Sequence, residues 1–153
     1  MLNLVRLTSA IDEVDIVNVE ERHLAIMKKI VLIDDDATTN YLNKIVVERS
    51  KLVDKLFVFD SAREALSFFE ANEQDVQGSL ILLDINMPIM NGWEFLKSYG
   101  KSNNPGENKV VLLTSSIDPA DKSKAESNPF VVDYKSKPLS NKLLEELVDA
   151  HFN

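Results

Sequence analysis

Cysteine is absent from the 153 residues of this chain, and histidine occurs only as His23 and His151. Without cysteine, disulfides, thiol catalysis and thiolate-ligated metal sites are excluded. Two histidines are too few for a histidine-rich metal centre. No apolar run reaches the roughly 18 residues that a membrane-spanning helix requires. Any metal site must therefore rely on oxygen ligands.

Basic residues are also scarce, since 17 lysines and arginines face 25 aspartates and glutamates and give a net charge of -8. This balance disfavours nucleic acid and anionic membranes as direct partners, while basic protein surfaces stay possible. A composition of 44% hydrophobic and 27% charged residues is typical of a soluble globular domain. Charged residues interrupt the apolar positions near the start of the chain, whereas a signal peptide has an uninterrupted apolar segment there. We therefore expect a cytoplasmic protein.

The first 27 residues differ from the rest of the chain. They carry five acidic and two basic side chains, and nothing in them suggests chemistry. A strand pattern follows Met27 almost at once, as at a natural chain start. We therefore divide the chain into an N-terminal extension, residues 1–27, and a domain, residues 28–153. The extension is either an arm that packs on something or a start-site artefact, and mass spectrometry of the native protein decides between them.

Short apolar runs and amphipathic segments alternate five times in residues 28–153. The apolar runs predict strands at residues 30–33, 55–59, 80–83, 110–113 and 130–134. The segments between them predict helices, and in the first helix we expect an inward stripe of Tyr41, Leu42, Ile45 and Val46. Such alternation indicates an α/β fold with a parallel sheet and helices on both faces. Right-handed crossovers then bring the carboxyl ends of all strands to one edge.

Local signals also mark several helix ends. Ser61 followed by Glu64 predicts a capping box at the second helix. Gly100 predicts the end of the helix that begins near Gly92. Ser140 predicts the start of the last helix.

Polar side chains follow four of the predicted strands. Asp34 and Asp35 follow the first strand, and Asp84 follows the third. Thr114 and Lys137 follow the fourth and fifth strands. Three carboxylates at one edge repel one another unless a cation or proton intervenes, and oxygen ligands favour Mg²⁺. Because a lysine and a hydroxyl can hold phosphoryl oxygens, the chemistry that fits is phosphoryl transfer onto a carboxylate.

The order of these residues resembles the response-regulator receiver domains, the family of the chemotaxis response regulator. The matching stretches are Ile30-Val31-Leu32-Ile33-Asp34-Asp35, Asp84-Ile85-Asn86-Met87-Pro88, Asn91-Gly92, Val111-Leu112-Leu113-Thr114-Ser115 and Lys137-Pro138. They cover residues 28–153 in the family's order. The resemblance implies a five-stranded parallel sheet of flavodoxin-like order 2-1-3-4-5.

The resemblance also implies a role for each acidic residue. Asp84 is expected to be the phosphoacceptor. Asp35 is expected to bind Mg²⁺ directly, and Asp34 largely through water. Asn86 would offer its backbone carbonyl to the ion.

Further roles concern the phosphoryl group and the response to it. By resemblance, Lys137 and Thr114 contact the phosphoryl group. Tyr134 matches the family's switch aromatic, which turns inward when the threonine moves toward the phosphoryl group. This motion is expected to change the face formed by the fourth predicted helix, the fifth strand and the fifth predicted helix.

Three residues depart from the family's commonest pattern. Asp36 adds another acid, which we expect to be a loop residue or a helix cap. Asn91 stands in a turn where aspartate is commoner. Ser116 lies two residues after Thr114 at a variable position and, with Asn86, is expected to set how fast the aspartyl phosphate hydrolyses.

The resemblance implies a stand-alone response regulator that takes its phosphoryl group from a histidine kinase or a histidine phosphotransfer protein. The chain is then not an enzyme beyond self-catalysed phosphorylation and slow dephosphorylation. Its output passes through contact with an unknown downstream protein or through a phosphorelay. A homodimer through the switch face is left open.

Two other functions stay open at this point. Asp34-Asp35-Asp36-Ala37-Thr38 matches the DxDxT nucleophile motif of haloacid-dehalogenase-type phosphatases. That interpretation leaves Asp84 without a role, and no acidic pair follows Lys137 outside the last helix. The other alternative is a receiver-like interaction module that works without phosphorylation.

Overall fold

A computed structural model of the chain describes residues 27–152. The predicted N-terminal extension, residues 1–27, therefore lies outside the described residues except for Met27. The strands of the described part are β1 (Lys29–Ile33), β2 (Lys55–Phe59), β3 (Leu80–Leu83), β4 (Lys109–Thr114) and β5 (Val131–Ser136). Its helices are α1 (Ala37–Ser50), α2 (Ala62–Ala71), α3 (Glu73–Val76), α4 (Gly92–Gly100), α5 (Pro119–Ser127) and α6 (Asn141–Phe152). None of these helices combines the length and hydropathy that a bilayer span requires.

The strands form one parallel sheet in the order β2-β1-β3-β4-β5, which confirms the predicted fold. The four residues of β3 are all buried, as expected for a central strand with both faces covered. The register sets Ile33 beside Leu83, and Leu83 beside Leu112. Because the central strands end at one level, Asp34 and Asp84 leave the sheet side by side.

Successive residues of the central strands β1, β3 and β4 contribute to two separate cores, one on each face of the sheet. Val31 and Ile33 belong to one core, which α2, α4 and α5 cover. Ile30 and Leu32 belong to the other, which α1 and α6 cover. The helices therefore lie on both faces, as predicted. The first core is rich in aromatic rings, whose edge and stacked contacts join Phe69, Phe95, Tyr99 and Phe130.

The inward face of α1 is only partly the predicted one, since Val46 packs against the second core but the first two predicted positions are exposed. Tyr41 is 64% exposed and Leu42 is 56% exposed. The buried positions of this helix are instead Asn40, Asn43 and Val47. Two of these are asparagines, so a hydropathy pattern selects the neighbouring apolar residues and rotates the helix wrongly. The physical reason is that Asn40 hydrogen-bonds to the carbonyls of Asp34 and Phe59 at the ends of β1 and β2.

Two predicted helix ends also differ from the structure. Gly100 lies inside the last turn of α4 and does not adopt a left-handed conformation. A Cβ atom at Gly100 would lie 2.9 Å from Cε2 of Phe130, so the glycine allows a close ring contact. Ser61 accepts a hydrogen bond from the Glu64 N–H at 3.1 Å, but the reverse half of the predicted capping box is absent from the described hydrogen bonds.

Candidate phosphorylation and metal site

The carboxyl ends of β1 and β3 bring three carboxylates together. Asp34, Asp35 and Asp84 each provide an oxygen within 4.8 Å of the other two. Asp34 is 4% exposed and Asp84 is 6% exposed, whereas Asp35 faces solvent. The structure thus assembles the three acids that the sequence pattern placed at these strand ends.

Main-chain hydrogen bonds fix the two buried acids. The Asp34 N–H donates to the carbonyl of Phe59 at 3.2 Å, and the Asp84 N–H donates to the carbonyl of Ile33 at 3.0 Å. These bonds continue the parallel ladder one residue beyond each strand. Both carboxylates are therefore held by the sheet itself and not by a mobile loop.

Asp36 is the helix cap of α1. Its Oδ1 accepts a hydrogen bond from the Thr38 N–H at 2.9 Å, and its Oδ2 accepts one from the Thr39 hydroxyl at 3.1 Å. Hydrogen bonds from the backbone N–H and hydroxyl of Thr39 hold the pKa of Asp36 below its usual range. The cap function expected for this residue is present. Because its carboxylate is occupied by this cap, Asp36 is not free to act as the second aspartate of the phosphatase motif.

Lys137 bridges the two buried acids. Its Nζ lies 2.6 Å from Oδ2 of Asp34 and 3.4 Å from Oδ2 of Asp84. Burial alone would lower the pKa of Lys137, but the two carboxylates outweigh it and raise the pKa overall. The ammonium group is therefore charged at neutral pH and offsets one of the negative charges. Its backbone N–H also donates to the carbonyl of Thr114 at 3.0 Å, which ties β5 to β4.

The ionised form of Asp84 is destabilised by its surroundings. Burial and then the nearby Asp34 raise the pKa of Asp84, although Lys137 acts in the opposite direction. Like charges brought together in a partly desolvated site are relieved by a cation. Carboxylate oxygens in this number are the donors that Mg²⁺ takes in proteins. The donor set therefore fits the predicted ion.

The loop after Asp84 is packed closely against it. A Cβ atom at Gly92 would lie 2.6 Å from the carbonyl oxygen of Asp84, so α4 begins in direct contact with that backbone. Asn91 and Glu94 form a complete capping box at this helix start, which explains the asparagine at this position. Asn86 lies in the same loop with an exposed side chain, and its contact with an ion stays a prediction.

Thr114 and Tyr134 meet the same residue of the loop between β4 and α5. Thr114 is fully buried, and its Oγ1 accepts a hydrogen bond from the Ser116 N–H at 3.1 Å. The half-buried Tyr134 donates its hydroxyl to the carbonyl of Ser116 at 3.0 Å. No hydrogen bond joins Thr114 to Asp84 among residues 27–152. The two predicted switch residues are thus linked through Ser116.

Sequence analysis missed Asn40. This residue is 3% exposed, and its Nδ2 lies 2.7 Å from the carbonyl oxygen of Asp34. The same nitrogen lies 2.8 Å from Oδ1 of Asp60 and 3.1 Å from the carbonyl oxygen of Phe59. Asn40 therefore joins the ends of β1 and β2 directly behind the acidic cluster. One signal in the sequence could have indicated this role. Asn40 is an amide side chain about one helical turn after the acidic run, and the carbonyl groups at strand ends need hydrogen-bond donors.

We expect Asn40→Ala to lower the free energy of unfolding by about 1–3 kcal/mol, because it removes the described donor of the buried Asp34 carbonyl. It should also weaken Mg²⁺ binding severalfold, since Asp34 loses the partner of its carbonyl. Urea denaturation and a Mg²⁺ titration measure the two effects.

Asn43→Ala is the matched control, because Asn43 is buried in the same helix but makes no described hydrogen bond to the sheet edge. An Asn40→Ala variant no less stable than Asn43→Ala, with the same Mg²⁺ affinity as the unchanged protein, would contradict this role.

The comparison with known proteins agrees with this geometry. A family model described as the response regulator receiver domain matches residues 30–149. The crystal structure of a two-component response regulator from Cytophaga hutchinsonii is 33% identical and superposes with a TM-score of 0.74. That match covers 83% of this chain and 98% of the Cytophaga chain.

Two curated proteins match over part of their length. The hybrid signal transduction histidine kinase I of Dictyostelium discoideum is 27% identical over 82% of this chain. The transcriptional regulatory protein PcoR of Escherichia coli is 28% identical over 64% of this chain. The chain spans only 7% of the first protein and 40% of the second. Receiver domains are signalling domains of two-component systems that are phosphorylated on an aspartate. This chain belongs to the response regulator receiver domain family.

Proposed function

We propose that this chain is a single-domain response regulator that accepts a phosphoryl group on Asp84 from the phosphohistidine of a histidine kinase or phosphotransfer protein. The proposal rests on the cluster of Asp34, Asp35 and Asp84. The Lys137 ammonium group forms ion pairs with two of these carboxylates, Asp34 and Asp84. A buried nucleophile, two further acids and a fixed ammonium group are the parts that phosphoryl transfer to a carboxylate requires.

The transfer exchanges one bond to phosphorus for another. The Asp84 carboxylate attacks phosphorus, an Oδ–P bond forms, and the N–P bond of the donor breaks with its electron pair on the imidazole nitrogen. In hydrolysis a water molecule attacks phosphorus, the Oδ–P bond breaks, and the carboxylate of Asp84 returns with inorganic phosphate. Lys137 stabilises the negative charge of the phosphoryl oxygens in both steps.

The residues that would hold Mg²⁺ are Asp34, Asp35, Asp84 and the backbone carbonyl of Asn86. Bound there, the ion would neutralise charge on the phosphoryl oxygens. The two oxygens of Asp34 are already engaged, by the Asp36 N–H at 2.9 Å and by Lys137 at 2.6 Å. Asp35 is exposed and is the freer ligand. This difference supports direct binding by Asp35 and water-mediated binding by Asp34.

The proposed response to phosphorylation starts at Thr114. Its hydroxyl would donate to the phosphoryl group, and the movement of Ser116 that follows would shift the inward position of Tyr134, which already packs against the core. The shared contact of both side chains with Ser116 supports this coupling. The face formed by α5, β5 and α6 would then present a different surface to a downstream protein or to a second copy of the chain. The intact mass of the native protein tests single-domain status.

Beryllofluoride, a mimic of the phosphoryl group, tests the proposed function directly. With Mg²⁺ present, it should bind at Asp84 and change both the fluorescence of Trp93 and the amide NMR signals near Thr114. Removal of Mg²⁺ with a chelator should reverse both changes. An unchanged spectrum at saturating beryllofluoride would contradict the proposal and favour an interaction module that works without phosphorylation.

A further inference from the structure

We propose that Ile89, in the loop between β3 and α4, is a specificity-determining residue that contacts the protein donating the phosphoryl group to Asp84. The inference rests on the proposed function, because it concerns how the phosphohistidine donor is recognised. It depends on a backbone conformation that isoleucine adopts only at a cost, and on the exposure of the Ile89 side chain beside the site.

The backbone of Ile89 is strained. Its φ angle is 69°, in a region that β-branched residues rarely adopt. The Met90 N–H donates to the carbonyl of Pro88 at 2.7 Å, so this hydrogen bond closes a turn across Ile89 alone. Such a three-residue turn is a γ-turn, and a positive φ at its central residue is the rare and strained form. Glycine or asparagine would adopt a positive φ at a lower cost.

The fold requires this turn but not this side chain. The loop leads from the end of β3 to the start of α4, where the Gly92 N–H donates to the carbonyl of Ile85 at 2.8 Å. Ile89 is 81% exposed and belongs to neither hydrophobic core of residues 27–152. Strained residues of this kind are concentrated at functional sites. An exposed side chain that adds to the strain therefore indicates a contact with another molecule.

Ile89 lies next to the place where the phosphoryl group must arrive. It belongs to the loop that follows Asp84 and whose Gly92 is in direct contact with the Asp84 backbone. Among the large apolar side chains of residues 27–152, only Ile117 is more exposed, at 97%. Ile117 follows β4, the strand next to β3 in the sheet. The two isoleucines therefore lie on adjacent loops at the carboxyl edge of the sheet.

The burial of Asp84 indicates which partner fits this position. Asp84 is 6% exposed, so a phosphohistidine reaches its carboxylate only when the donor protein lies over the carboxyl edge of the sheet. Such a donor covers the β3–α4 loop, and removal of the Ile89 side chain from water then favours binding. A small donor such as acetyl phosphate reaches Asp84 without covering the loop. A downstream protein on the face of α5, β5 and α6 does not require Ile89, which belongs to none of these elements.

The Ile89→Asn variant tests this inference in the full chain. The probe is the protein that transfers fastest among all histidine kinases and phosphotransfer proteins of the source organism, each labelled beforehand with radioactive phosphate. We expect the rate of transfer at limiting donor concentration to fall about tenfold, because an apolar contact is lost. The initial rate of labelling by acetyl phosphate with Mg²⁺ should stay within about twofold. The melting temperature should rise by about 3 °C, because asparagine relieves the strain.

Lys51→Asn is the matched control. Lys51 is the other non-glycine residue of positive φ among residues 27–152, with φ of 56°, and it is also exposed. It ends α1 at the amino edge of the sheet, on the opposite side from Asp84. Its substitution should raise the melting temperature less, because lysine is not β-branched, and should leave transfer from both kinds of donor unchanged. The control separates relief of strain from loss of a side chain at the site.

Transfer from the protein donor to Ile89→Asn at the rate found for Lys51→Asn would overturn the inference. An equal fall in labelling by acetyl phosphate would also overturn it, since Ile89 would then act on the site itself. A melting temperature that does not rise would contradict the strain on which the inference depends.

Two further results would reject the proposed partner. One is labelling by acetyl phosphate without transfer from any protein of the profile. The other is a dimer of the unchanged protein, seen by light scattering with beryllofluoride, that Ile89→Asn dissociates, since this would assign Ile89 to contact with a second copy of the chain. Absence of labelling of the unchanged protein by acetyl phosphate would instead overturn the proposed function on which the inference rests.

Discussion

Asp84→Asn should abolish covalent labelling of the protein by acetyl phosphate in the presence of Mg²⁺, with a loss of at least about 100-fold. The amide keeps the size of the side chain but cannot serve as the nucleophile. Intact-mass spectrometry after timed incubation measures the labelled fraction. Chymotryptic or tryptic mapping of the unchanged protein should place the label on the peptide that contains Asp84.

Asp36→Asn is the control for this experiment, since it makes the same substitution at the same edge of the sheet. Asparagine is also a good helix cap, so α1 should remain intact. Asp36→Asn should be labelled like the unchanged protein. Undiminished labelling of Asp84→Asn would show that another acid is the acceptor and would remove the basis of the proposed function.

In the absence of metal, we expect Asp84→Asn to increase the stability of the folded protein. Burial and Asp34 raise the pKa of Asp84 in the folded protein, so the folded state binds this proton more tightly than the unfolded state does. The stability of the unchanged protein should therefore fall, relative to Asp84→Asn, as pH rises above about 3.9 through the raised pKa. At pH 7 we expect Asp84→Asn to be more stable by about 1 kcal/mol in urea denaturation.

Addition of Mg²⁺ should reverse this order, because a bound ion stabilises the unchanged protein in proportion to the logarithm of its concentration. Asp84→Asn lacks one carboxylate ligand and should gain less. Equal stability of the two proteins at every pH, with and without Mg²⁺, would contradict the proposed metal site.

The sheet could be predicted because its central strands are short apolar runs whose burial on both faces leaves little ambiguity. The helix α1 could not be predicted in the same way. Its buried face carries Asn40 and Asn43, and the hydrogen bonds of Asn40 to two strand ends decide the rotation of the helix. Hydropathy contains no information about such bonds, so it wrongly predicts that Tyr41 and Leu42 are buried.

The candidate site could likewise be predicted only in part from the sequence. Asp34, Asp84 and Lys137 could be grouped from the sequence because parallel topology brings strand ends to one edge. Asp121 and Trp93 lie on helices, where a contact depends on helix rotation and on the length of each loop. The hydrogen bonds that Asp121 accepts from Trp93 and from Ser116 depend on packing between α4 and α5, which no local pattern reveals.

Gly92→Ala should lower the free energy of unfolding by about 2–3 kcal/mol, which is large for the addition of one methyl group. The added Cβ would lie 2.6 Å from the carbonyl oxygen of Asp84 and 2.9 Å from Cα of Ile85. Both atoms belong to the backbone and cannot rotate away. Gly92 does not adopt a left-handed conformation, so the cost arises from close approach and not from backbone strain. The higher helix propensity of alanine opposes the effect but is smaller.

Gly100→Ala is the control, because it makes the same change at the other end of α4. Its Cβ would meet only the ring of Phe130, which can shift, so we expect a smaller loss of stability. Relief of the contact at Gly92 requires either α4 or the Asp84 backbone to move. Beryllofluoride binding distinguishes the two, since only displacement of Asp84 should weaken it. Unchanged stability of Gly92→Ala would mean that α4 does not press on Asp84, and that the sheet ladder alone holds the phosphoacceptor in place.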